Sequence, residues 1–157
     1  MKAVLLTVGK TDINSIAIEI DKYTKRIGHY LPFSMEVIPD IKNKRNLSQA
    51  EQKQKEGDLI LSKLHSTDYV VLLDEGGRLF NSNQFAQHIE NKKNTIARKL
   101  VFIIGGPYGF SDAVKGRANE KISLSKMTFT HQMVRMIFVE QLYRAMTILS
   151  NQPYHHD

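Results

Sequence analysis

Cysteine is absent from the 157 residues. That absence removes disulfides, thiolate nucleophiles and thiolate metal sites together, and it suits a reducing compartment, so a cytoplasmic location is expected. Long apolar runs are missing as well. The longest, residues 69–73 and 100–104, fall far short of the roughly 18 residues that span a bilayer, and no membrane partner is expected. The opening Met1-Lys2-Ala3-Val4-Leu5-Leu6 gives way at once to Gly9-Lys10-Thr11-Asp12, with no extended apolar region or small-residue cleavage site, which argues against a secretory signal. Neither the G-x-G-x-x-G spacing of dinucleotide folds nor the Gly-Lys-Ser/Thr of a phosphate loop occurs, which weakens two common nucleotide readings. Internal repeats, low-complexity segments and linkers are lacking, so the 157 residues read as one domain. What is present is a 41% hydrophobic content, enough for a real core, and a net charge of +6, which favours an anionic partner such as nucleic acid.

Along the chain, short apolar runs alternate with stretches of helical period, the pattern of a mostly parallel sheet flanked by helices, class α/β. Strands are expected at residues 3–8, 34–38, 69–73, 100–104 and 122–124. Asp12 should cap a first helix carrying Ile13, Ile16, Ala17, Ile20 and Tyr23 on its apolar face and ending at Gly28. Ser48 and Glu51 form a capping box for a second helix reaching about residue 64. Ser82 should cap a third to about residue 91, Ser111 a short fourth to about residue 118, and Thr130 a long last helix ending near residue 150.

Chemistry-bearing residues gather in five places. The strand at residues 101–104 runs into Gly105-Gly106-Pro107-Tyr108-Gly109, where small residues let a ligand approach the backbone at the carboxyl end of a strand. An ordinary strand-to-helix turn is the plain alternative. The segment Leu124-Ser125-Lys126-Met127-Thr128-Phe129-Thr130-His131-Gln132 joins hydroxyls and backbone groups to apolar side chains and suits an aromatic base such as adenine; a capping segment is the alternative. The last helix is apolar nearly all round, which predicts pairing with a second copy as a homodimer, against the alternative of a central core helix; Glu140 and Arg144, one turn apart, can pair with each other. The tail Pro153-Tyr154-His155-His156-Asp157 offers groups that stack or exchange protons, with a disordered end as the alternative. Its adjacent His155 and His156 do not converge as metal ligands should, and His29, His65, His88 and His131 are scattered, so no metal is expected. The basic set Lys42, Lys44, Arg45, Lys53 and Lys55, with Lys22, Lys25 and Arg26, could contact phosphates.

As an ordered set, the motifs at residues 104–109, 124–135, 140–145 and 153–155, with Leu5-Leu6-Thr7-Val8-Gly9-Lys10 and Lys55-Glu56-Gly57, resemble the ribosomal large-subunit pseudouridine N3-methyltransferase family, RlmH, of the SPOUT superfamily. The resemblance covers the whole chain. It implies a SPOUT-type fold with a C-terminal trefoil knot, which no pattern in the sequence reveals. It implies S-adenosylmethionine as co-substrate, held at Leu73, Gly105, Leu124, Ser125, Lys126, Met127, Thr128 and Phe129. The implied substrate is a pseudouridine in a stem-loop of 23S rRNA, in the large subunit or the assembled ribosome. Arg144 and His155 would then orient the base or stabilise its anion, and Tyr154 would stack on it. One departure is His156, where many members carry Arg or Lys. The competing readings are a SPOUT enzyme acting on another nucleoside, such as a tRNA ribose, and a noncatalytic RNA-binding or ribosome-assembly module.

Overall fold

A computed structural model describes residues 1–96 and 98–156. Asp157, counted with the tail above, lies outside the described residues. Five strands, β1 (Lys2–Val8), β2 (Phe33–Ile38), β3 (Tyr69–Leu79), β4 (Lys99–Ile104) and β5 (Glu120–Ser123), alternate with helices α1 (Asn14–Ile27), α2 (Gln49–Ser62), α3 (Ser82–Thr95), α4 (Asp112–Arg117) and α5 (Met133–Leu149). The sheet order is β2-β1-β4-β3-β5, and every paired neighbour runs parallel.

Side chains that alternate along the strands divide the core between two faces. Leu100, Phe102 and Ile104 point to one side with Ala3, Leu5 and Val71, where α1, α3 and α5 supply Ile20, Phe85, Ile89, Phe138 and Leu142. Val101 and Ile103 point to the other with Leu6, Val8 and Leu72, covered by Ile60 of α2 and Val114 of α4. A helix layer therefore lies on each side of the sheet, the arrangement that continuous apolar strands require.

Local sequence signals decide several helix starts. The capping box of α2 is present: Ser48 Oγ accepts from Glu51 N at 3.1 Å and Glu51 Oε1 accepts from Ser48 N at 3.3 Å. Ser111 caps α4 by accepting from Val114 N. Three expected caps move. Asn81, not Ser82, begins α3 through a reciprocal pair with Gln84, freeing the Ser82 hydroxyl to bond Gln141 Oε1 at 2.9 Å. Asp12 caps nothing; Ile13 holds the cap position of α1, and the Asp12 N–H donates to Gln132 Oε1 at 2.9 Å. Thr130 does not open α5, which starts at Met133, although its hydroxyl accepts from Met133 N.

β3 differs most from expectation. The sequence places this strand at residues 69–73, yet it continues through Asp74-Glu75-Gly76-Gly77 to Leu79. The ladder to β5 breaks between Leu73 and Arg78 and then resumes, so these residues bulge out of the sheet rather than end it. Gly77 is needed there, because a Cβ would lie 2.6 Å from the backbone of Ile122.

Candidate active site

The bulge within β3 and the carboxyl ends of β4 and β5 surround a cleft of about 420 Å³, close to the position where parallel α/β sheets collect ligands. Three segments build it. The bulge after Leu73 contributes Asp74 and Glu75; the glycine turn after Ile104 contributes Gly105, Gly106 and Phe110; the segment after β5 contributes Leu124, Ser125, Met127, Thr128 and Phe129. Thus Leu73, Gly105, Leu124, Ser125, Met127, Thr128 and Phe129 border one space. Lys126 does not: it is exposed and absent from the lining.

Backbone shapes this cleft. A Cβ on Gly105 would press to 3.0 Å of the Phe110 ring, and one on Gly106 would strike the Glu56 carboxyl, whose Cδ lies only 2.8 Å from it. The third segment is folded by its own hydroxyls, Ser123 Oγ donating to Ser125 O and Ser125 Oγ accepting from Met127 N, each at 2.9 Å. Met127 is left 76% exposed at the mouth. Asp74, Glu75 and Phe110 also line the cleft and were not singled out from the sequence; His131, from the segment that was, joins them. Asp74 and Glu75 directly follow Leu73, so their place after an apolar strand was the available signal. Among the described residues, the lining holds two carboxylates and no lysine or arginine.

The start of α5 is fixed beside the cleft by a buried cation. Arg135, a charged residue in a helix that is apolar nearly all round, is 1% exposed. Its guanidinium donates to Gly9 O at 2.8 Å, Val8 O at 2.9 Å, His131 O at 3.1 Å and Thr11 Oγ1 at 3.2 Å. Burial lowers its pKa, against the pull of Asp12 and Asp40. Gln132 adds a second tie, to Asp12 N and Lys10 O.

Arg144, Tyr154 and His155 meet elsewhere, towards the other end of α5. Glu140 Oε1 accepts from Arg144 Nη2 at 2.7 Å and from Tyr154 Oη at 3.0 Å. The pairing of Glu140 with Arg144 is therefore real, and it forms the floor of a larger cluster. Arg144 Nη1 lies 3.1 Å from His155 Nδ1; a guanidinium can only donate, so Nδ1 is the acceptor in this contact. The Tyr154 ring stands edge-on to Tyr143 at 4.8 Å, under the Arg144 guanidinium, and its hydroxyl lies 3.2 Å from that of Tyr23. Burial, then the hydrogen bonds to Tyr23 and Glu140, push the Tyr154 phenol well above its ordinary range, so it stays protonated. Arg144 Nε is buried without a partner. Through Tyr154 and His155 the tail is packed against α5 rather than loose.

Val134 borders the cleft and Arg144 lies ten residues further on, about 15 Å along the axis at a rise of about 1.5 Å per residue. The chain thus holds two separate constellations. Of the basic set, Lys22, Lys25 and Lys44 are engaged with Glu19, Asp21 and Asp40, and Arg26 rests over the Tyr23 and Tyr143 rings beside the cluster. No group of three or more His, Asp or Glu positioned to hold a metal occurs among the described residues, and no helix is long and apolar enough to cross a membrane.

Comparison with known proteins gives one consistent result. The family described as "Predicted SPOUT methyltransferase" matches residues 1–155. Proteins named "Ribosomal RNA large subunit methyltransferase H" are similar over essentially their whole length: 60% identical over 157 residues in Parabacteroides distasonis, covering 100% of both chains, 58% over 157 residues in Phocaeicola vulgatus, also 100% of both, and 55% over 156 residues in Flavobacterium johnsoniae, 99% of each.

Proposed function

The chain belongs to the SPOUT methyltransferase family, and on that premise we propose that it methylates N3 of a pseudouridine in 23S rRNA of the large ribosomal subunit, with S-adenosylmethionine as methyl donor, in the cytoplasm and as a homodimer. The observation that carries this reading is the character of the cleft. In a chain of net charge +6, two carboxylates line this cavity and no lysine or arginine stands among its described lining residues. Such a site disfavours a nucleotide phosphate and suits a cationic adenosyl ligand.

The residues present fit that donor. The cavity falls within the usual range of roughly 300–1,000 Å³ for ligand sites. Leu124, Met127 and Phe129 offer apolar walls for an adenine ring, the glycine turn exposes backbone groups for its polar edge, and Asp74 and Glu75 suit an ammonium or ribose hydroxyls. S-adenosylmethionine supplies, when bound, a methyl group made electrophilic by the attached sulfonium.

N3 of pseudouridine carries an imide proton between two carbonyls and becomes nucleophilic when that proton leaves. Tyr154, held protonated against Glu140, is unsuited to remove it and is suited to stacking or donating. Arg144, whose Nη groups carry N–H donors beyond those given to Glu140 and His155, can bind a carbonyl oxygen as negative charge spreads onto it, and His155 orients that guanidinium. Because the reacting atoms must approach to about 3–3.5 Å, a cluster standing about 15 Å along the helix from the cleft cannot serve the donor site of its own protomer. A second copy can present it. Ile13 and Met133, drawn together by the Asp12–Gln132 bond and still 47% and 38% exposed, supply apolar surface for that contact. The trefoil knot belongs to the same proposal. It is supported by a chain that leaves β5 at the sheet edge, returns across the ends of β3 and β4, and is then tied by Arg135 to the end of β1.

The test is mass spectrometry of 23S rRNA from cells with and without the gene, beside calorimetry with S-adenosylmethionine. A methyl mark on one pseudouridine that disappears with the gene, and donor binding by the purified protein, are expected. Unchanged rRNA, or no binding at millimolar donor, would overturn the reading.

A further inference from the structure

Behind the glycine turn, away from the cleft, lies a carboxyl that the reaction as described does not use. Glu56 in α2 is 3% exposed. Its Oε2 accepts from Gln52 Nε2 at 3.2 Å, while its Oε1 is buried with no partner. A buried carboxyl oxygen left unmatched costs stability, typically about 1–3 kcal/mol. Its position suggests what that cost supports. The carboxyl is packed directly on Gly106, and the next residue, Gly57, is packed as closely on Ser111: a Cβ at residue 57 would lie 3.0 Å from Ser111 Cβ and strike its hydroxyl. Two consecutive residues of α2 therefore grip the two ends of the 105–111 turn, one at the cleft wall and one at the cap of α4.

We infer that Glu56 is a positioning residue for the methyl donor: its carboxyl braces the Gly105–Gly106 turn, and its open Oε1 accepts a hydrogen bond from the turn's backbone when the cleft is filled. This rests on the donor reading given above. Glu56 is not part of the cleft lining, so it acts through the turn and not on the ligand. The charged groups facing it are Lys44 and Asp40, from the loop ahead of α2. That loop also carries Lys42 and Arg45, so the brace joins a basic surface segment to the donor wall.

Calorimetry with S-adenosylmethionine on the full-length wild type, Glu56→Gln and Glu56→Met, with thermal unfolding of each, tests the role. Glu56→Met keeps the volume and removes the acceptor; donor affinity should fall about tenfold or more while the melting temperature does not drop in step. Glu56→Gln keeps a neutral acceptor and should recover part of the loss. Binding that takes up the free oxygen favours the ionised carboxyl, so the wild type should release protons on binding in mildly acidic buffer and Glu56→Gln should release fewer. Wild-type affinity in both variants, or a loss matched by lost stability with unchanged proton release, would overturn the role of Glu56 while leaving the donor reading intact. A wild type that binds no donor would overturn both.

Discussion

The cleft and the Arg144 cluster are built on opposite principles. The cleft is made of backbone: three strand ends, two glycines without room for a Cβ, and a segment folded by its own serines. The cluster is made of side chains from α1, α5 and the tail, joined through Glu140, Arg144, Tyr154 and His155. A backbone-built site fixes one ligand shape and tolerates no added bulk, whereas a side-chain-built site tolerates truncation without collapse and loses only the function of the group removed. The two should therefore fail differently.

The sharpest way to break the contrast is to add volume to the cleft. Gly106→Val would drive two methyl groups into the Glu56 carboxyl and shift the turn. Donor affinity should fall more than about 100-fold, well beyond the loss expected at Glu56 itself, since overpacking displaces backbone that cannot relax elsewhere. Affinity within threefold of wild type by calorimetry would mean that the turn does not shape the donor site.

The opposite result is expected at the cluster. Arg144→Ala should leave donor affinity within about twofold and cut methylation of large-subunit RNA by about 100-fold, a loss typical of removing one charge-stabilising donor. His155→Ala should do the same more mildly. Mixing Arg144→Ala with Gly106→Val should restore part of the activity, because a mixed pair in the proposed dimer would set one intact cleft against one intact cluster. No recovery on mixing, with heterodimers verified by native mass spectrometry, would place both constellations in the service of a single protomer.

The same division explains what the sequence made legible. Local signals survived folding: the Ser48–Glu51 box, the Ser111 cap and the glycine turn all depend on residues within a few positions of one another. Signals that depend on distant partners did not. Asp12 looks like a cap until Gln132, 120 residues away, takes its N–H. The third strand looks finished at Leu73 until β5 supplies an edge against which Gly77 can pack. The burial of Arg135 is not legible, because nothing near it in sequence reveals the carbonyls of Val8 and Gly9. The cleft residues were found through strand-end logic and motif; the separation between cleft and cluster was not, because it depends on the length of α5 and the return path of the tail.

The smallest expected effect is the most direct probe of the wall between these regions and the rest of the fold. Burial is the main reason the Glu56 carboxyl has a raised pKa; Asp40 adds to it, while the Gln52 bond and Lys44 oppose it. A carboxyl whose pKa is raised on folding holds its proton more tightly in the native state than in the unfolded chain, where the ordinary value is 4.5. Between those two values the native state binds more protons, and stability therefore falls as pH rises. Its contribution is complete below the unfolded value and is lost as pH climbs through the folded one. Glu56→Gln carries no such proton, so its unfolding free energy should lack this decline. At neutral pH and above, the variant without donor should exceed the wild type by on the order of 1 kcal/mol, the usual scale for an uncompensated buried polar group; at pH 4 the two should converge. Denaturant titrations at several pH values measure this. A difference that stays constant with pH would mean that Oε1 is matched in solution, and the free oxygen could then no longer serve as the contact that marks a filled cleft.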